Sequence, residues 1–401
     1  MPSAPPPGDP APPDGSLPAE ALETLGRNGF GVYVHVPYCA HRCGYCDFNT
    51  YVDDTGAAAS YADAAVAELR LAARVLRDAP PADTVFFGGG TPTLLPPADL
   101  ARILAAVRDT FGLAAGAEVT TEANPETVDP ATLAALRESG FTRISLGMQS
   151  ASPHVLATLE RRHTPGRAPD AAREARAAGF GGVSLDLIYG TPGETDDDWR
   201  ATLDAALAAE PDHLSAYALT VEPGTRLAAQ VARGAVAPTD DDVHADRYEI
   251  ADEMLGRNGF GWYEISNWAR GDAHRCRHNE LYWRGGDWWG VGPGAHSHVG
   301  GVRWWNVRLP RDHAAAVAAG RSPAQAREVL DAEARRVERV LLGVRVAGGH
   351  PAADLDADGH AAAAALADDG LLDAAALGDG RLLLTRRGRL LADAVVLRLV
   401  A

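Results

Sequence analysis

Short apolar stretches rich in β-branched and aromatic residues alternate along this chain with longer stretches of helical periodicity. The expected strands cover residues 33–36, 84–87, 118–122, 143–146, 183–188 and 213–218, and amphipathic segments such as 61–76 and 199–207 lie between them. This alternation predicts parallel strands that are joined by right-handed helical crossovers. Such a series can close, fully or partly, into a barrel whose functional loops gather at the carboxyl ends of the strands. We therefore expect an α/β fold built on a partial (β/α)6 TIM-like barrel.

The length and composition of the chain leave room for more than this barrel. With 401 residues and 46% hydrophobic content, the chain can bury one large core and one smaller core. Its start is rich in proline and alanine, and it lacks the basic start and apolar core of a signal peptide. We expect a disordered tail over residues 1–25, the barrel over 26–260, an aromatic and histidine-rich linker over 261–309 and a C-terminal domain over 310–401.

The C-terminal domain is expected to be mostly helical. Segments 371–373 and 381–385 flank a Gly378-Asp-Gly380 turn, and a further helical segment follows Arg386. A helix, a hairpin and a second helix in this order predict a winged-helix-like domain. Its first helix carries many Asp and Ala residues, which favours packing or partner binding over binding of DNA.

Charge and residue usage exclude several classes of function. The net charge of -17 repels nucleic-acid phosphates, so no nucleic-acid partner is expected. The sequence contains no lysine, which excludes lysine Schiff bases and Walker-type phosphate loops. No apolar run approaches the roughly 20 residues of a membrane span. The 4 cysteines, three of them between positions 39 and 46, suit metal binding in a reducing compartment better than disulfides, so we expect a cytoplasmic protein.

Three cysteines follow the first expected strand in the sequence Cys39-Ala-His-Arg-Cys43-Gly-Tyr-Cys46. Three thiolates from one loop can each bind one iron of a [4Fe-4S] cluster, which leaves the fourth iron open to bind and reduce a small molecule. Zinc is the alternative, but a zinc site usually takes four Cys or His ligands, and no second pair of ligands is visible at zinc spacing. We expect the cluster on Cys39, Cys43 and Cys46.

A glycine run, Gly88-Gly-Gly-Thr-Pro92, follows the second expected strand. Without side chains, the backbone can approach a ligand closely and offer its amides and carbonyls to an amino-acid group. A glycine run alone is most often a turn. Its place after the cysteine motif indicates a ligand-binding role.

The order of these motifs resembles that of the radical S-adenosylmethionine (SAM) superfamily, in the branch that contains the oxygen-independent coproporphyrinogen oxidases and the HemW haem chaperones. The resemblance covers nearly the whole chain after the tail. It rests on the cysteine triad, on the glycine run and on five further segments: Tyr33-x-His-x-Pro-x-Cys39, Glu122-Ala-Asn-Pro125, Arg143-Ile-Ser-Leu-Gly-Met-Gln149, Asp186-Leu-Ile-Tyr-Gly190 and His278-Asn-Glu-Leu-Tyr282.

This resemblance implies a radical SAM barrel with a SAM site at the carboxyl ends of its strands. The residues that it implies as SAM contacts are Tyr33, Gly89, Gly90, Thr91, Glu122, Gln149, Arg161, Asp186 and Ala218. Carboxylates can accept hydrogen bonds from ribose hydroxyls or an ammonium group, and an arginine can pair with the SAM carboxylate. Taken singly, Glu122, Gln149 and Asp186 could also be strand-end caps or solvated polar residues.

One position separates the members of this branch. The oxidases resemble the pattern CxxxCxxCxC, with a further Cys two residues beyond the triad. Here Cys46 is followed by Asp47 and Phe48, which resembles the HemW-like pattern Cys-Asp-Phe. The missing thiol implies a pocket that differs from that of the oxidases at this point.

The region from 262 to 305 contains all but one of the 8 tryptophans together with several histidines. Flat aromatic walls and an axial nitrogen suit a porphyrin. His278 lies in His-Asn-x-x-Tyr, a sequence regarded as a haem-binding motif in HemW-like proteins, so the resemblance implies His278 as an axial ligand, with the Cys276 thiolate as an alternative. A second hypothesis is that the tryptophans pack a domain seam, where His278 is hydrogen bonded. His296 and His298 are expected to shape a glycine-rich turn without a ligand role.

Two functions from different classes compete. In the first, the protein is a haem chaperone that binds haem b and delivers it to haemoproteins, among them membrane enzymes of the respiratory chain. In the second, it is an oxygen-independent coproporphyrinogen III oxidase, which carries out the SAM-dependent oxidative decarboxylation to protoporphyrinogen IX in porphyrin biosynthesis. Phe48 and the His278 motif favour the first. Both imply a [4Fe-4S] cluster and SAM, and a homodimer is left open.

Overall fold

The computed structural model describes residues 7–52, 57–162 and 164–400. Its strands are β1 (Asp9–Pro10), β2 (Phe30–Val36), β3 (Tyr38–Cys39), β4 (Tyr51–Val52), β5 (Ala82–Gly89), β6 (Leu113–Ala123), β7 (Arg143–Gln149), β8 (Gly182–Tyr189), β9 (His213–Ala218), β10 (Gly261–Glu264), β11 (Asn267–Ala269), β12 (Asp287–Val291), β13 (His296–Val299), β14 (Val302–Asn306), β15 (Ala324–Val329), β16 (His350–Pro351) and β17 (Arg381–Leu382).

The helices are α1 (Ala19–Glu23), α2 (Tyr61–Leu76), α3 (Pro97–Phe111), α4 (Pro130–Ser139), α5 (Pro153–Thr158), α6 (Arg167–Ala177), α7 (Asp196–Leu207), α8 (Arg226–Ala232), α9 (Asp241–Arg257), α10 (Arg277–Trp283), α11 (Pro310–Ala318), α12 (Ala332–Gly343), α13 (Ala357–Asp368), α14 (Ala374–Gly378), α15 (Arg386–Leu390) and α16 (Ala392–Leu399). Short 3-10 helices cover Ala57–Ser60, Pro92–Leu94, Pro125–Thr127, Asp272–His274 and Ala352–Asp354. Within the described residues, no helix is both long and apolar enough to cross a bilayer.

The centre of the fold is a parallel sheet that carries helices between successive strands. Strands β2, β5, β6, β7, β8 and β9 lie side by side in chain order and run parallel. These are the six strands that the sequence predicts, so the α/β barrel fold is confirmed. Their carboxyl ends share one rim of the sheet, where loops can meet.

Strand β2 shows how the sequence produces a sheet with two different faces. Phe30, Val32, Val34 and Val36 are fully buried in the main hydrophobic core. The residues between them, including Tyr33, point to the opposite face because successive side chains of a strand alternate. The two faces of β2 therefore serve different purposes, one for packing and one for the site described below.

Residues 261–309 form part of the main sheet, so the prediction of a linker there is wrong. At one edge, β11 pairs antiparallel with β9, and β10 with β11. At the other edge β12 runs parallel to β2, and β13, β14 and β15 continue the sheet antiparallel. The sequence pattern hid these strands because consecutive tryptophans give no simple alternation of apolar and polar residues.

The C-terminal region is helical and has a hydrophobic core of its own, with residues from Val340 to Leu399. The boundary expected at 310 is too early, because α11 packs on α2 and β15 belongs to the main sheet. The expected hairpin is also different, because β17 pairs with β16. The two predicted arms are joined by the isolated bridge Leu372–Leu384 and by the hydrogen bonds from the Asp373 amide to Leu383 O (2.8 Å) and from the Thr385 amide to Leu371 O (3.0 Å).

The expected disorder over residues 1–25 is wrong for much of that segment. Strand β1 pairs antiparallel with β15 at the edge of the main sheet, and residues 19–23 form α1. Backbone hydrogen bonds to a partner strand order a proline-rich segment that has little secondary structure preference by itself. Residues 1–6 of the predicted tail lie outside the described residues.

Candidate cluster and cofactor site

The three cysteines lie in the loop that leaves the carboxyl end of β2. Cys39 ends the short strand β3, and a turn in which the Cys46 amide donates to the Cys43 carbonyl (3.3 Å) follows it. Burial raises the pKa of the Cys39 thiol to about 11, and repulsion by the thiolates of Cys46 and Cys43 adds to this rise. The three thiols therefore lie close enough to interact, and a bound metal would be needed to keep all three ionised.

The donor set fits a cluster with separate irons. All three cysteines are free thiols of intermediate exposure. Among the described residues, no three His, Cys, Asp or Glu side chains converge as ligands of one metal ion would. In a cubane each thiolate binds a different iron, so its sulfur ligands stand further apart than those of a single ion. Three free thiols in one loop fit the donor set of a [4Fe-4S] cluster.

The glycine run lies directly against the cysteine loop. The Gly90 amide donates to Val36 O (2.7 Å) and the Thr91 amide to Tyr38 O (2.8 Å), while the Thr91 hydroxyl lies 3.9 Å from Cys39 Sγ. A Cβ atom at Gly90 would lie 2.5 Å from Tyr38 O, so no larger residue fits there without a shift of the backbone. The predicted proximity of the two motifs is present in the structure.

Two carboxylates at the rim repel each other. Burial raises the pKa of Glu122 to about 8, and the charge of Asp186 adds to this rise, while the Gly89 amide donates to Glu122 Oε2 at 3.1 Å. Burial also raises the pKa of Asp186, against the hydrogen bonds from Ser215 and Ser145. Such a buried carboxyl favours a cationic or hydrogen-bond-donating ligand, because either would relieve the cost of its ionisation.

Arg161 and Gln149 lie next to these carboxylates. One guanidinium nitrogen of Arg161 donates to Gly147 O (2.9 Å), another lies 3.7 Å from Cys43 Sγ, and Nε is buried without a hydrogen-bond partner. Gln149 ends β7 at a register shift and has a φ of 64°, a conformation that costs energy for any residue with a side chain. The strained backbone of Gln149 and the unpaired Nε–H of Arg161 both lie beside the cysteine loop. A ligand there could accept a hydrogen bond from this N–H group.

A cavity of about 500 Å³ opens beside these residues. It is lined by Tyr33, His35, Asp47, Phe48, Asn49, Gly89, Glu122, Tyr282, Trp288, Gly294, His296, Trp305, Asn306 and Arg308. Of the expected SAM contacts, this lining includes Tyr33, Gly89 and Glu122. The others lie around it without lining it: Gly90, Thr91, Gln149, Arg161, Asp186 and Ala218, the last residue of β9.

His278 and Cys276 do not reach this cavity. His278 Nδ1 is hydrogen bonded to the Thr84 hydroxyl (2.7 Å) and Nε2 to the Tyr282 hydroxyl (2.8 Å), and only 1% of the residue is exposed. Burial lowers the pKa of His278 to about 3. Cys276 is equally buried, and its Sγ lies 3.7 Å from Oε1 of Glu118, a residue in the middle of β6. In this arrangement neither residue offers a free ligand atom, in contrast to the expectation.

Sequence reasoning missed the part of the cavity that β13 and β14 contribute. Asn49, in the cysteine loop, donates to Pro293 O (3.0 Å) and Arg308 O (2.9 Å), which brings residues 293–308 over the loop. His296 lies on this wall and not in the turn where it was expected. The signal in the sequence was the spacing of His296 and His298, which places both on one face of a strand.

Comparisons with known proteins identify the superfamily of this chain. The family model described as "Radical SAM superfamily" matches residues 33–206. A protein of Mycobacterium tuberculosis named "Heme chaperone HemW" is 55% identical over 378 residues, 94% of this chain and 96% of that protein. The chain belongs to the radical SAM superfamily.

Two further matches have lower sequence identity to this chain. The "Heme chaperone HemW" of Bacillus subtilis is 31% identical over 79% of this chain and 83% of that protein. Among solved structures, the coproporphyrinogen III oxidase HemN of Escherichia coli, a radical SAM enzyme, matches with a TM-score of 0.82 and 24% identity. That match covers 95% of this chain and 92% of the other, and at this identity it shows the fold alone.

Membership in the radical SAM superfamily implies a [4Fe-4S] cluster and SAM. When bound, the cluster supplies an open iron and an electron for SAM. The chain's own part is to supply the thiols of Cys39, Cys43 and Cys46, which the bound irons would keep ionised, and to hold them in a half-buried loop beside Gly89 and Glu122. The residues present fit these tasks.

Proposed function

We propose that this protein is a haem chaperone: it binds haem b and delivers it to haemoproteins of the respiratory chain. The observation that carries the proposal is the 55% identity, over 94% of the chain, to a protein named heme chaperone HemW. Nearly the whole length of both chains takes part in this likeness, so it includes the C-terminal region as well as the barrel.

Phe48 supports the proposal from within the site. It stands where the oxidase pattern has a further cysteine, lines the cavity and is 58% exposed. An aromatic ring in that position offers an apolar contact to a flat macrocycle and cannot act as a thiolate. Exposure of so large an apolar side chain has a cost in water, which a bound porphyrin would remove.

The cofactor residues take the roles expected from the superfamily. We infer that Cys39, Cys43 and Cys46 bind the cluster and that SAM is contacted by Tyr33, Gly89, Gly90, Thr91, Glu122, Gln149, Arg161, Asp186 and Ala218. The cavity lining supports this for Tyr33, Gly89 and Glu122. The buried, unpartnered Nε of Arg161 supports a polar ligand nearby.

The proposed partners are haem and client haemoproteins, among them membrane enzymes of the respiratory chain, which the protein would meet from the cytoplasm. A homodimer remains part of this proposal. The helical C-terminal region, which packs around its own core, is available for partner contacts.

One experiment tests this proposal against the alternative enzyme. The anaerobically reconstituted protein is titrated with haem and, in a parallel sample, incubated with dithionite, SAM and coproporphyrinogen III. We expect a Soret band that saturates with haem and no release of carbon dioxide. Release of carbon dioxide and 5′-deoxyadenosine without haem binding would contradict the chaperone proposal and support the oxidase function. A Cys43→Ser variant, which should lose iron, shows whether haem binding depends on the cluster.

A further inference from the structure

The face of the sheet that contains Tyr33 continues across the strands at its edge. Gly290 of β12 pairs with Tyr33, Trp288 pairs with His298 of β13, and His296 pairs with Trp305 of β14. Residues in register on neighbouring strands point to the same face of a sheet. Trp288, His296, His298 and Trp305 therefore extend the face that carries the cofactor residues, whereas Trp289 and Trp304 pack in the main core on the other face.

His296 differs from the other histidines of this face in that its ring nitrogens are available. Neither nitrogen of His296 is hydrogen bonded to any residue in the described part of the chain, and the residue is exposed. His35 is bonded to Tyr33 and to Asn49 O, and His298 to Gly286 O and to the Gly301 amide. Among the histidines that line the cavity, only His296 can thus bind a metal without breaking a hydrogen bond.

The surroundings of His296 suit a flat, aromatic ligand that carries carboxylates. Its ring stacks on Trp305, with centroids 6.0 Å apart and planes at 29°, and Trp288 and Tyr282 lie on the same cavity. Arg308 lines the cavity too, and in a chain without lysine the side-chain cation that pairs with a carboxylate is most readily an arginine. A cavity of about 500 Å³ falls in the size range of cofactor sites.

We propose that His296 is the axial ligand of the haem iron, with Trp288 and Trp305 against the macrocycle and Arg308 paired with a propionate. The inference rests on the proposed function, because it presumes that the chain binds haem. Partial desolvation of the ring at the cavity wall and the nearby Arg308 charge lower the pKa of His296, which keeps the ring neutral and its nitrogen lone pair free at neutral pH. The site assigned to haem is thereby next to the cluster loop, in the cavity that Gly89 and Glu122 also line.

The test is a haem titration of the reconstituted full chain in four forms: unaltered, His296→Ala, His278→Ala and His360→Ala. His360 is an exposed residue of α13, in the C-terminal region, and serves as the matched control. We expect His296→Ala to weaken haem binding at least tenfold and to shift the Soret band, with recovery on addition of imidazole. The iron content of each variant, measured before haem is added, shows whether the cluster domain is intact.

A second pair of measurements tests Arg308. Arg308→Gln should weaken the binding of haem about tenfold, as expected for the loss of a charge-assisted hydrogen bond. The same substitution should leave the binding of haem dimethyl ester, which has no carboxylates, unchanged. Equal losses for both ligands would show that Arg308 acts by packing, which contradicts its assigned role.

The outcomes separate this inference from the function on which it rests. If the unaltered protein fails to bind haem, the proposed function is wrong and the axial ligand with it. If the unaltered protein binds haem and His296→Ala binds it with the same affinity and spectrum, only the ligand assignment is wrong. A loss confined to His278→Ala, with full iron content, would move the haem to the interior site of the His-Asn-x-x-Tyr segment.

Discussion

The side chain of Asn49 makes four hydrogen bonds, three of which connect the cysteine loop to the wall of the cavity. Its Nδ2 donates to Pro293 O (3.0 Å) and to Arg308 O (2.9 Å), and its Oδ1 accepts from the Tyr51 hydroxyl (3.1 Å) and from Arg308 Nε (3.3 Å). Replacement of Asn49 by alanine removes all four. The Tyr51 hydroxyl keeps its bond to Arg308 O (3.0 Å), so the main loss is that of the two bonds that Asn49 donates.

The size of the effect follows from these two bonds. A neutral hydrogen bond contributes on the order of 1 kcal/mol net, so Asn49→Ala should lower the free energy of local loop opening by about 2 kcal/mol. That difference corresponds to a roughly thirtyfold larger population of the open loop. The stability of the rest of the sheet should not change, because these contacts belong to one loop and one strand end.

Hydrogen exchange read out by mass spectrometry measures this opening directly. The Tyr51 amide, which donates to Pro37 O at 2.7 Å, should exchange about thirtyfold faster in Asn49→Ala when closing is fast. Asn258→Ala is the control, since the Asn258 side chain bonds only to Met254 O (2.8 Å) at the exposed end of α9. Unchanged exchange of peptides from 39–52 in Asn49→Ala would refute the role given to these bonds.

Three further predictions concern the site and the core. Glu122 is charged only above its pKa of about 8, so cationic SAM should bind more tightly as the pH rises through that value, and calorimetry should show no such trend for Glu122→Gln. Gly90→Ala places a Cβ 2.5 Å from a backbone carbonyl oxygen and should lose iron on reconstitution, whereas Gly256→Ala, with open space around it, should not. Arg247→Met leaves the buried Glu194 carboxylate without its partner at 2.9 Å and should cost about 3–5 kcal/mol in unfolding experiments, most of which Glu194→Gln should restore.

The parts of the fold that follow from local pattern could be predicted from the sequence. Helix α2 and strand β9 have the predicted bounds, and the other five predicted strands lie within longer observed ones. Strand β12 was not predicted, although it pairs with β2, because its place in the sheet depends on contacts between distant segments. The same holds for β1, which becomes a strand only because β15 offers a free edge.

The residues of the site also fall into two groups, those that belong to a local motif and those that only the fold brings together. The cysteine loop and the glycine run are contiguous motifs, so the cysteines could be named from their spacing and the glycine-run residues from the resemblance to the radical SAM superfamily. The hydrogen bonds that occupy both nitrogens of His278 come from Thr84 and Tyr282, and the sequence gives no sign that Thr84 lies beside it. Asn49 reaches partners that are 244 and 259 residues away, and no local pattern records such a pairing.

The first described residues have a practical consequence for anyone who shortens this chain. A Cβ at Gly8 would lie 2.6 Å from the Trp305 indole, and the Ser322 amide donates to Pro13 O at 2.8 Å. Removal of the proline-rich beginning would thus expose one side of that indole and leave the outer edge of β15 unpaired, although β14 would still pair with its other edge. Expression variants cut at residue 19 or later should be judged by their porphyrin affinity before any crystal grown from them is trusted.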